Sequence, residues 1–92
     1  MEKEYNYIKK KYKNYIVLIY KDNKYYSYDR DKRILDFINF NNKLPKLRKY
    51  SISFIVLDEE DMIGMANYLI NNYYIFLFIS YIGSIIRGKK NK

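Results

Sequence analysis

Cysteine, histidine and tryptophan are absent from the 92 residues, and the chain holds only three glycines and one proline. Without cysteine there is no disulfide, no thiolate metal site and no thiol nucleophile, and nothing in the composition reports a redox compartment. Without histidine there is no imidazole base or ligand, so the serines have no recognisable triad around them. The acidic run Asp58 to Asp61 suggests magnesium, which favours carboxylate oxygens. Its position at the start of a helix gives a simpler cause, because negative side chains there oppose the positive end of the helix dipole. No enzyme activity, cofactor or metal is therefore expected. The opening Met1-Glu2-Lys3-Glu4-Tyr5 has no apolar run behind a basic leader, so the expected location is the cytoplasm. The apolar run Tyr73 to Ile86 falls short of the roughly twenty residues that cross a bilayer, and extending it backward brings in Asn71 and Asn72. It reads as a buried strand, with membrane attachment a distant alternative because basic residues follow it.

What the chain does have is apolar material and positive charge. Hydrophobic residues make up 49% of it, thirteen of its residues are tyrosine, and its formal net charge is +8. That is enough apolar surface for one folded domain, residues 1–92, with 1–4 and 87–92 expected to fray. The charge favours polyanionic partners: nucleic acid, anionic lipid or an acidic protein surface.

The elements follow from local pattern. Tyr5, Ile8, Tyr12 and Tyr15 are spaced as one stripe of an amphipathic helix, with Lys3, Lys9, Lys10 and Lys13 among the other positions. Ile16 to Tyr20 is continuously apolar, which predicts a strand covered on both faces. Asp22-Asn23 tolerates the left-handed angles of a two-residue hairpin turn and leads into a strand over Lys24 to Tyr28. Asp29 or Asp31 is expected to cap a helix running to Phe40, with Ile34, Leu35 and Ile38 inward and Arg30, Lys32 and Arg33 toward solvent. Pro45 interrupts a basic connector from Lys43 to Lys49. A strand over Tyr50 to Leu57, a helix with Met62, Met65, Ala66 and Leu69 inward, and a last strand over Tyr73 to Tyr81 complete the pattern. The expected class is mixed α/β, a small mixed sheet with about three helices packed against it.

The run Tyr5 to Tyr28 continuing into Asp31 to Phe37 resembles the amino-terminal domain, domain I, of the DNA mismatch-repair protein MutS. In that family a helix likewise leads to an apolar strand, a turn, an aromatic strand and an acidic helix start. Met65 to Tyr73 followed by Ile75 to Gly83 is similar to the domain's later helix and strand, so the likeness spans most of the chain. The resemblance implies that domain's fold and a DNA-facing surface. The family's Phe-any-Glu motif, whose phenylalanine stacks on a mispaired base, is replaced by Lys24, Tyr25 and Tyr26, and its turn glycine by Asp22. Mismatch recognition is therefore not expected.

Two groups of residues are candidates for binding. Tyr25, Tyr26 and Tyr28, among Lys21, Lys24, Arg30 and Arg33, combine rings that can stack on bases with cations that can meet phosphates. The competing reading packs the tyrosines of one strand face into the core and lays those of the other face flat on the surface. Lys43, Lys46, Arg48 and Lys49 form the densest basic group and can follow a phosphate backbone, or be simply a solvated loop. The expected function is nonspecific nucleic-acid binding by a small basic module, of phage or mobile-element type. The alternative is a small inhibitor or adaptor, of anti-defence or anti-CRISPR type, that docks on a nucleic-acid-processing protein through the same tyrosines and lysines.

Overall fold

Asp22 and Asn23 adopt φ of 52° and 64°, the left-handed pair that matches the twist of a two-residue hairpin, and they join β1 (Ile16–Lys21) to β2 (Lys24–Tyr28). The computed structural model describes residues 1–42 and 53–80. Around this hairpin are α1 (Glu2–Lys11), α2 (Asp29–Asn42), β3 (Phe54–Asp58), α3 (Glu59–Asn71) and β4 (Phe76–Ser80). The four strands form one mixed sheet in the order β3-β2-β1-β4. The hairpin and the β2–β3 pair are antiparallel, whereas β4 lies parallel to β1, Ile16 opposite Phe76. The mixed α/β class expected from the sequence is the observed one.

Side-chain alternation assigns the two faces. Ile16 and Leu18 of β1 and Ile55 and Leu57 of β3 point to one face, where Leu35 and Ile38 of α2 and Met62, Met65 and Leu69 of α3 pack on them. Val17, Ile19 and Tyr28 point to the other, against Tyr5 and Ile8 of α1. β1 is thus covered on both sides, as its unbroken apolar run predicts. Full burial of a side chain such as Leu69 contributes about 1.5–3 kcal/mol. At the start of α3 the Asp58 carboxylate accepts the Asp61 amide at 2.8 Å, a cap on one of the four unpaired first-turn donors.

Several boundaries and environments differ from the sequence reading. α1 runs from Glu2 to Lys11, so Tyr12 and Tyr15 lie beyond it. Lys32 is not a solvent-facing residue: it is 7% exposed and its ammonium meets Asp36 at 2.6 Å one turn along α2. Asp31 is buried, and its carboxylate is taken up by donors from α1 (Tyr5 and Lys9) and β1 (Val17). β4 starts at Phe76, three residues later than expected, because Tyr73 takes φ 65° and closes α3 instead. The Tyr73 amide donates to the Ile70 carbonyl and the Tyr74 amide to the Leu69 carbonyl, the paired bonds of a helix stop that usually has glycine in Tyr73's place. β4 is also an edge strand, half-exposed and not buried. The start of the expected strand at Tyr50 and the end of the last one at Tyr81 lie outside the described residues. Among the described residues no helix is long and apolar enough to cross a membrane.

Candidate nucleic-acid interface

α1 carries Lys9, Lys10 and Lys11 in its last turn, where cations are favourable against the negative end of the helix dipole. Immediately after β2, Asp29 takes φ 49°, a backbone angle a short carboxylate side chain tolerates, and α2 begins without an intervening loop. Bonds from Tyr5 and Lys9 to Asp31 hold α1 beside the start of α2. Between them lies an open groove of about 570 Å³ lined by Tyr5, Asn6, Lys9, Lys10, Lys13, Asp29 and Arg30. A smaller pocket of about 90 Å³ shares Lys9, Lys13 and Arg30 and reaches Asn14, Tyr15 and Tyr74.

The groove is held in shape by Asp31. One carboxylate oxygen, Oδ2, accepts the Tyr5 hydroxyl at 2.6 Å and the Val17 amide at 3.0 Å, and Oδ1 accepts the Lys9 ammonium at 3.0 Å. Lys9 also donates to the Tyr15 carbonyl, and the Val17 carbonyl accepts the Ser27 hydroxyl at 2.8 Å. Asp31 is 1% exposed, and a buried charge persists only when paired and hydrogen-bonded, as this one is. Burial, and then the bond to the Asp31 carboxylate and its charge, push the Tyr5 hydroxyl well above its ordinary value. The network ties α1, the turn before β1, β1 and α2 together at one point. It also occupies Lys9, which leaves Lys10, Lys13 and Arg30 as the groove's available cations. All three are exposed and none is ion-paired among the described residues.

Of the described residues singled out from sequence, Arg30 alone lies in this groove. Lys21 and Lys24 face each other across the hairpin at the opposite end of β1, with Asp22 3.9 Å from the Lys21 ammonium. Arg33 is exposed beside Glu2 and Lys32 in a separate hollow. The three tyrosines of β2 do not form a stacking platform, because alternation along the strand sends them to different faces. Tyr25 is half-buried against Tyr20 and Phe78, at ring separations of 4.8 and 5.1 Å. Tyr26 lies on the opposite face near Phe54, and Tyr28 is 6% exposed between Tyr5 and Phe54. Core packing, the competing reading, describes Tyr28 fully and the other two in large part. Lys43, Lys46, Arg48 and Lys49 lie outside the described residues.

In the sequence, Lys10, Lys13, Asn6 and Asn14 are visible only as the polar side of a helix and its exit. The signal for a site is the crowding of Lys9, Lys10, Lys11 and Lys13 within five residues, which by itself reads as a solvated face. Charge is also divided unevenly along the chain. Residues 1–42 hold ten Lys or Arg and six Asp or Glu, residues 53–80 hold four acids and no Lys or Arg, and the remaining residues hold eight Lys or Arg and no acid. The groove therefore belongs to a basic amino-terminal half, and β3, α3 and β4 to an acidic one. Among the described residues no group of three or more acidic side chains is placed to hold a metal ion. No family model, curated protein or solved structure matches this chain, so the likeness to domain I of MutS rests on the sequence pattern alone.

Proposed function

We propose that this chain is a non-enzymatic cytoplasmic module that binds nucleic acid by charge through the groove between α1 and α2. The observation that carries the reading is the convergence of Lys10, Lys13 and Arg30, exposed and without ion pairs among the described residues, on one groove floored by a fixed hydrogen-bond network. Cations held by rigid elements neutralise successive phosphates and release condensed counterions, which gives affinity without sequence preference. Asn6 and Asn14 add amide donors for phosphate or sugar oxygens. Tyr74, beside the narrower end, adds a ring on which a base can stack.

The test is fluorescence anisotropy with short single-stranded and duplex DNA over a range of salt. The triple variant Lys10→Glu, Lys13→Glu, Arg30→Glu is compared with Lys21→Glu, Lys24→Glu, which changes charge at the far end of the sheet. The wild type should lose affinity steeply with salt. The triple variant should weaken binding and flatten the log–log slope by about 0.9 for each duplex phosphate it no longer neutralises. Equal affinity and slope in the triple variant and the wild type would place the binding charge elsewhere and reject the groove. A mismatched duplex should be bound no more tightly than a matched one.

A further inference from the structure

Beyond that reading, we propose that β4 is a dimerisation edge, on which two copies of this chain pair β4 with β4 antiparallel about a two-fold axis to make one continuous eight-stranded sheet. β4 pairs with β1 on one side only, and among the described residues its other side faces no strand. An edge of this kind offers backbone donors and acceptors that no other strand among the described residues takes up, and an extended strand satisfies them. Natural edges are usually blunted by lysine, proline, a bulge or an inward charge. β4 has no charged residue and no proline, and the whole stretch from Met62 to Ser80 carries no charge. The opposite edge, β3, ends at Asp58 and runs into Glu59 and Glu60.

The lack of charge points to a second copy as the occupant. A two-fold contact sets each residue against itself or its mirrored neighbour, so any charge on the edge would meet its own kind. Two chains of net charge +8 repel, and the uncharged stretch is where they approach without like charges in contact. The strand is also self-complementary in register. With Phe78 on the axis, each Phe78 meets its mate, each Leu77 meets Ile79 of the other copy, and each bulky Phe76 meets the small Ser80. Phe78 is 46% exposed and backed by Tyr25, so an aromatic pair at the axis would extend a ring row already present.

The absence of cysteine makes the test direct. In an antiparallel pair, opposing α-carbons lie about 4.5–5.5 Å apart, within disulfide reach. Phe78→Cys should therefore cross-link to a covalent dimer on mild oxidation, much faster than Ile63→Cys on the exposed side of α3. Light scattering of the wild type should show twice the chain mass, and Phe78→Lys should halve it with the circular dichroism unchanged. A wild type that stays monomeric at high concentration overturns the proposal, as does a dimer that survives Phe78→Lys or a Phe78→Cys that cross-links no faster than Ile63→Cys. The cross-linking comparison decides the matter even if Phe78→Lys fails to fold. None of these outcomes depends on what the groove binds.

Discussion

The two ends of the β1–β2 hairpin are built by different means. At the tip the turn is made locally: Asp22 and Asn23 take the left-handed pair and the Tyr20 hydroxyl reaches Asn23 at 2.9 Å, with one exposed contact from a distance, Glu59 at 3.0 Å. At the base, the polar groups of Val17 are met by side chains from elsewhere, Asp31 and Ser27, and Asp31 in turn holds Tyr5 and Lys9. The tip is decided by neighbours in sequence and the base by neighbours in space. Local chemistry at the tip tolerates change, whereas at the base the loss of Asp31 strands three donors at once.

The strongest way to break the comparison is Asp31→Asn. It leaves the Lys9 ammonium without its anion and sets amide hydrogens against donors, at a cost of roughly 3–5 kcal/mol. Urea unfolding should show a loss of stability of that size, read as a lowered midpoint at unchanged slope, and an unchanged midpoint would mean the base is as forgiving as the tip. Tyr5→Phe is the next largest, since it removes one donor from Asp31 and leaves two, for a loss of about 1–2 kcal/mol. The same variant carries a pH signature. Because the Tyr5 hydroxyl is raised in the folded state, its contribution is fully present below its ordinary value of 10.0 and is lost as pH rises above that, when the unfolded chain ionises and the folded one does not. Wild-type stability should fall more steeply than that of Tyr5→Phe on the alkaline side, and parallel curves would remove Tyr5 from the account. The smallest effect is a gain. Tyr73 makes a left-handed stop with a bulky residue where the hairpin tip uses Asp and Asn. Tyr73 is 94% exposed, so Tyr73→Gly gives up little packing and should raise stability by about 1 kcal/mol in thermal or urea melts.

This contrast also explains which features are legible in the sequence. β1 is readable because five adjacent apolar residues admit few other structures, and α3 because Met62, Met65 and Leu69 keep a helical period behind the capping Asp58. Asp31 misleads because the local rule for an acid at a helix start names a cap, and only the folded chain brings Tyr5, Lys9 and Val17 to it. Lys32 misleads for a related reason: its ion pair lies on its own helix, but its burial comes from tertiary packing. The start of β4 is hidden because Tyr73 to Phe76 contains no glycine or proline to mark the turn. In the candidate site, Arg30 is legible as a cation near a helix start. Its companions Lys10 and Lys13 are not, since a groove exists only where residues 5–13 and 29–30 approach each other.

The parallel pairing of β1 with β4 orders events during synthesis. The central strand has one side covered by β2 immediately, through a two-residue turn, whereas the other waits until α2, β3 and α3 have all been translated and β4 follows. For that interval the nascent chain carries an open, wholly apolar strand edge at Ile16 to Tyr20, which stays open to wrong partners until β4 has been made and pairs with it.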